Sequence, residues 1–215
     1  MLHINELLKV LKVAQDFIPK KSYGAEYTNA YLMCTGEKLV VRAFSRCTIF
    51  SSALDAWSPH TAWERPVIIS AESLSEAIAF LRGKRGICNV VATDSGVEIE
   101  ACASGTKISL PHSPNAESVL DAWQSLDIYL TPDSAFDSTI PASGVPVSAA
   151  DLARIFAACA ELHGHDALPM LCRQRGVGGL VFWRVSCGDT WLVTMAHRDD
   201  VDNKKAPLLK LAEMK

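Results

Sequence analysis

The sequence predicts an α+β protein in which antiparallel sheet predominates and helices pack on one sheet face. Three observations predict it. A helical period of apolar residues occurs at three places in the chain. Each is followed by strand-length apolar runs separated by short turn signals. The whole order returns at intervals of about 65 to 80 residues, the mark of an internal repeat.

In the first copy, Ile4, Leu7, Leu8, Leu11, Ala14 and Phe17 or Ile18 fall at helical spacing, with Asn5, Lys9, Lys12 and Asp16 on the other side. Pro19 stops this helix. Three strands are expected next, Ala25 to Thr35, Lys38 to Ser45 and Cys47 to Ala53, the first two joined by Gly36-Glu37. The second copy opens with a strand from Val67 to Ser70 and a helix from Ala71 to Leu81 that buries Leu74, Ala77, Ile78 and Leu81. A basic turn, Gly83 to Gly86, leads to strands Cys88 to Thr93, Val97 to Cys102 and Thr106 to Leu110, with turns at Asp94-Ser95-Gly96 and Ser104-Gly105. In the third copy, Val145 to Val147 reads as a strand, Ser148 as an N-cap, and the helix after it buries Leu152, Ile155, Phe156 and Cys159. Its strands are Leu168 to Val177, Leu180 to Cys187 and Thr190 to His197, turning at Gly178-Gly179 and Gly188-Asp189.

Composition narrows the class. With 215 residues and 49% hydrophobic content, the chain is long enough for two compact units. No apolar run reaches membrane-spanning length, and Glu6 stands where a secretory leader carries basic residues, so a cytoplasmic protein is expected. The seven cysteines are odd in number and never form a CxxC pair, which suits buried thiols in a reducing compartment. A net charge of −3 leaves nucleic-acid binding to a local basic surface. Residues 1–115 hold 12 Lys and Arg against 11 Asp and Glu, and residues 116–215 hold 9 against 13. Between Ala116 and Gly144 there are five acidic residues and no basic one, so residues 116–144 read as an acidic linker between a unit at 1–115 and another at 145–215.

Two segments carry a family resemblance. Val67 to Ile78 (VIISAESLSEAI), running on to Cys88 to Glu100 (CNVVATDSGVEIE) and Thr106 to Pro111, resembles the closing half of a bacterial sliding clamp's first domain. Val145 to Phe156 (VPVSAADLARIF), with Leu168 to Leu171, is similar to the opening half of the second. The resemblance, to the beta subunit of bacterial DNA polymerase III, covers most of residues 1–115 and 145–198. It implies a sliding-clamp fold of repeated helix-plus-three-strand modules, acting as a processivity factor that encircles or cradles duplex DNA and tethers a polymerase or other replication proteins. It also implies a homo-oligomer, no cofactor and no enzymatic activity. The chain departs from the pattern in having one complete two-module domain and a single further module, so a ring of about twelve modules would need about four copies. The alternative is a clamp-fold adaptor or regulator that binds a replication protein or another clamp without closing a ring.

In such a ring the helices face DNA, and weak attraction to phosphate needs Lys and Arg on them. The candidates are Lys9, Lys12, Lys20, Lys21, Arg82, Lys84, Arg85 and Arg154. The same residues would also serve as the solvated face of any amphipathic helix, and Glu72, Glu76, Asp151 and Glu161 nearby weaken the attraction. A second candidate is Gln124, Leu126, Ile128, Tyr129 and Leu130 in the linker, which resembles the short peptides that dock on bacterial clamps, although these residues equally suit a packed strand.

Other chemistry is unsupported by pattern. His163, His165 and Asp166 read as a surface turn rather than a metal site. Gly176, Gly178 and Gly179 lack the Lys-Ser/Thr of a phosphate loop. No nucleophile signature surrounds any cysteine, whether paired with His112 or His197. Trp57, Trp63, Trp123, Trp183 and Trp191 read as packing anchors.

Overall fold

The computed structural model describes residues 1–19, 28–45, 48–56, 62–121, 123, 148–175 and 181–195. The first module is β1 (Leu2–His3), α1 (Ile4–Phe17), β2 (Asn29–Cys34), β3 (Lys38–Phe44) and β4 (Thr48–Asp55). The second is β5 (Val67–Ser70), α2 (Ala71–Leu81), β6 (Ile87–Thr93), β7 (Gly96–Ala101) and β8 (Thr106–Pro111). A short helix, α3, covers residues 116–121. The third module contributes α4 (Ala149–His163), β9 (Met170–Arg175), β10 (Val181–Cys187) and β11 (Thr190–Met195). The predicted α+β class with antiparallel sheet is therefore what the chain adopts.

Local chemistry sets the element ends. Ile18 leaves α1 in extended backbone (φ −84°, ψ 123°), as a residue before proline must. Ser70 and Ser148 cap α2 and α4, their hydroxyl oxygens accepting from Ser73 N–H at 3.1 Å and Asp151 N–H at 3.3 Å. At the β6–β7 hairpin, Gly96 (φ 152°) lies so close to the Leu110 carbonyl that a Cβ could not be accommodated.

Two sheets result. One has four strands in the order β1-β6-β7-β8, the other seven in the order β5-β2-β3-β4-β11-β10-β9. Modules one and two exchange strands: β1 pairs with β6 (Leu2↔Cys88) and β5 with β2 (Asn29↔Ser70). The two-residue β1 was not legible in the sequence because it is too short to show a period. Modules one and three share the long sheet through β4 and β11, in register from Thr48↔Thr194 to Ser52↔Thr190.

One core cluster joins α1, α2 and α4 to the inner faces of both sheets, with Ile4, Leu7, Leu74, Leu81, Phe50 and Ile155 at 0% exposure. Phe17 stacks on Phe50 at 5.3 Å between ring centroids. On the outer face a second cluster gathers Tyr31, Phe44, Ile49, Ile68 and Val193 under Val119 and Trp123. The expectation for α4 needs correction. Ile155, Ala158 and Cys159 are buried, but Phe156 is 41% exposed and Leu152 half-buried, because α4 packs on α1, β10 and β11 with one side and shows the other to solvent.

Candidate nucleic-acid interface

α1 lies between α2 and α4, so the three helices form one layer over the sheets. Its residues separate by side: Leu7, Val10, Leu11, Ala14 and Phe17 are buried, while Asn5, Lys9, Lys12 and Asp16 are exposed and follow one another at i+3 and i+4. They form one polar stripe along the outer surface of the layer. Lys12 and Asp16 also line a groove of about 290 Å³ between α1 and α4, with Arg154 and Glu161 on its other bank and Phe17 and Ala158 among its lining residues. Two cations and two carboxylates share this groove, which makes its field weak. Arg154 is steadied by its own surroundings, with Nη1 4.0 Å from the Asp151 carboxylate and its guanidinium carbon 5.9 Å from the Phe17 ring centroid.

The basic turn after α2 splits into two kinds of residue. Arg82 and Arg85 are exposed. Lys84 is half-buried, its ammonium donating to Thr106 Oγ1 at 3.1 Å and lying 4.5 Å from the Phe80 ring centroid. Glu72 and Glu76 are exposed on α2, Glu72 in its first turn and the basic residues after its last. Lys20 and Lys21 lie outside the described residues, as do Gln124, Leu126, Ile128, Tyr129 and Leu130. The structure thus brings Lys12 and Arg154 together and leaves Arg82 and Arg85 on a separate turn.

The residues weighed for other chemistry have structural positions. His163 ends α4, where its Nε2 is 2.9 Å from Thr190 Oγ1, which in turn is 3.0 Å from Ser52 Oγ. Burial holds its pKa below the ordinary 6.5, opposed in part by the Asp189 carboxylate. His165 and Asp166 are exposed. Among the described residues no three His, Cys, Asp or Glu side chains come together. Burial pushes the Cys88 thiol up to about 12 and the Cys159 thiol up to about 11, so both are protonated at neutral pH and poor nucleophiles. His112 is half-buried and likewise held below 6.5 by burial and by the Arg65 charge. Cys47, His197 and the Gly176 to Gly179 turn lie outside the described residues. Trp63 and Trp123 are buried and not available for base stacking.

Sequence reasoning missed the hydroxyl-lined seam between β4 and β11, whose Thr48, Ser52, Thr190 and Thr194 are all buried. Nothing in single-strand patterning marks it, since serine and threonine on a strand ordinarily signal a solvent face.

No family model matches the sequence, and no curated protein matches it. Solved structures do. The DNA polymerase III subunit beta from Pseudomonas aeruginosa superposes with a TM-score of 0.62 at 12% identity, over 98% of this chain and 66% of that one. The Helicobacter pylori beta clamp bound to a DNA ligase peptide gives 0.61 at 13%, over 97% and 68%. The pol III beta of Caulobacter crescentus gives 0.59 at 15%, over 97% and 67%. The chain has a sliding-clamp fold and spans about two thirds of the length of these chains. No helix among the described residues is long and apolar enough to cross a membrane.

Proposed function

We propose that this protein is a clamp-like processivity factor of the cytoplasm that encircles or cradles duplex DNA and tethers replication proteins to it, contributing position and no bond chemistry. The observation that carries this reading is the helical layer: three helices cover one side of the sheets, and the exposed stripe of the central one carries Lys9 and Lys12. Arg82, Arg85 and Arg154 extend the cationic positions, while Asp16, Glu72, Glu76 and Glu161 keep the attraction weak. Weak, sequence-independent contact is what sliding needs, because a tight contact would hold the protein in one place. Partners would dock as extended peptides on the outer surface, while Gln124, Leu126, Ile128, Tyr129 and Leu130 of the linker would themselves form such a peptide toward another clamp.

The test is retention on nicked circular DNA against the same DNA linearised, at low and moderate salt. A clamp is retained on circles and runs off ends. Lys9→Glu with Lys12→Glu should reduce retention several-fold and flatten its salt dependence by about two phosphate contacts. A folded chain indifferent to circular DNA would instead be the adaptor, bound to a replication protein or another clamp.

A further inference from the structure

The three modules meet in two ways, and each way joins like to like. Modules one and two exchange their leading strands, β1 onto β6 and β5 onto β2, with α1 against α2. Modules one and three join their last strands, β4 antiparallel to β11, with α1 against α4. Both contacts are local two-folds.

The two ends left open among the described residues are unlike. At one, β8 is paired on one side only, and it is a last strand of the kind that β4 and β11 are. At the other, β9 has β10 on one side and no neighbour on the other, where β2 has β5 and β6 has β1. α4, which packs on β10 and β11, leaves Ala149, Ala153 and Phe156 exposed, and Leu168 and Met170, before and at the start of β9, are 91% and 65% exposed. A head-to-tail contact would set a last strand against a first strand and its helix, a pairing the molecule nowhere makes.

The geometry points to assembly by two alternating two-fold interfaces: the α4–β9 face covered by the same face of a second copy, and the β8 edge by β8 of another. Charge supports the second copy as occupant. Residues near a two-fold axis meet their own counterparts, where a like charge would repel, and the exposed residues 149, 153 and 156 carry no charge. On β8, Lys107 is already held by Glu98 at 2.9 Å. A ring built this way has an even number of copies and dihedral symmetry, and four copies supply twelve modules. Its two faces are identical, so a partner can engage either. This deepens the ring reading above, but its test does not involve DNA.

Solution mass of the 215-residue chain should be about 93 kDa, four times 23.3 kDa. Two substitutions at exposed positions then separate the interfaces. Phe156→Glu places a charge on the α4 face. Ser109→Pro blocks the β8 edge: the His112 N–H bond to Ser95 O, continued along the ladder, turns the Ser109 N–H outward. Each alone should give dimers, and the two together monomers, with circular dichroism confirming the fold; Ala153→Lys replaces Phe156→Glu should that variant misfold. A head-to-tail ring has one interface, so either substitution alone would yield monomers and overturn the proposal, as would a wild-type chain that is monomeric or dimeric. Tetramers that ignore circular DNA would sink the clamp function and leave the symmetry standing.

Discussion

α1 and α4 hold the same place in two copies of one repeated unit, yet they live in different surroundings. Ile4, Leu7, Val10, Leu11, Val13, Ala14 and Phe17 of α1 are buried because α2 stands on one side of it, α4 on the other and β3 and β4 beneath. Over a helix of similar length α4 buries only Ile155, Ala158 and Cys159. The difference teaches that in this fold an apolar period decides which residues can be buried, and the number of neighbouring modules decides which are.

That contrast can be broken most strongly at α1. Leu7→Ala or Leu11→Ala should each cost about 2 to 5 kcal/mol in urea unfolding, because both side chains are enclosed and the site cannot collapse. Leu152→Ala on half-buried α4 should cost about 1 kcal/mol; equal losses at the two helices would erase the comparison. At the seam, Thr190→Val removes the hydroxyl between His163 and Ser52, an expected loss of about 1 to 3 kcal/mol by the same measurement.

Acid should weaken the fold through His163, and in the same sense through His112, whose pKa burial also lowers. The folded pKa of His163 lies below 6.5, so the unfolded chain binds its proton more readily. Stability is then fully present above pH 6.5 and falls as pH drops from there toward the folded value. Urea midpoints measured from pH 7.5 to 5 should show this fall, and His163→Asn should reduce it, leaving the part due to His112. Smallest of all should be Lys38→Ala. Lys38 lies 2.9 Å from Asp189 and 3.7 Å from Asp55 across the seam, but all three are open to solvent, so the loss should stay below about 1 kcal/mol and vanish in high salt.

Helices and hairpins were legible because their signals are local: the 3.6 period of Leu74, Ala77, Ile78 and Leu81, and turn glycines such as Gly96. What joins modules was not. Across the seam Ser52 Oγ meets Thr190 Oγ1, and Thr48 and Thr194 are buried in register with each other, an arrangement that only the tertiary structure supplies. Phe156 reads as core in one dimension because hydropathy does not say which side of a helix has a neighbour. Of the interface candidates, the side of α1 that carries Lys9 and Lys12 followed from spacing alone. That Glu161 and Arg154 share a groove with Lys12 and Asp16 required α4 to be placed, and the anchoring of Lys84 on Thr106 required β8.

The outer cluster has a consequence for how the chain comes apart. Trp123 packs on Tyr31 and Phe44, at 5.7 and 6.0 Å between ring centroids, and the same cluster takes in Ile68 of β5 and Val193 of β11. Strands from all three modules are therefore pinned by one patch, of which Val119 and Trp123 belong to none of their meanders. Repeat proteins commonly unravel unit by unit, each held only by its neighbours. Here the described modules should melt together in a single calorimetric transition, with the emission of Trp123 changing at the same temperature as the far-ultraviolet signal of the helices.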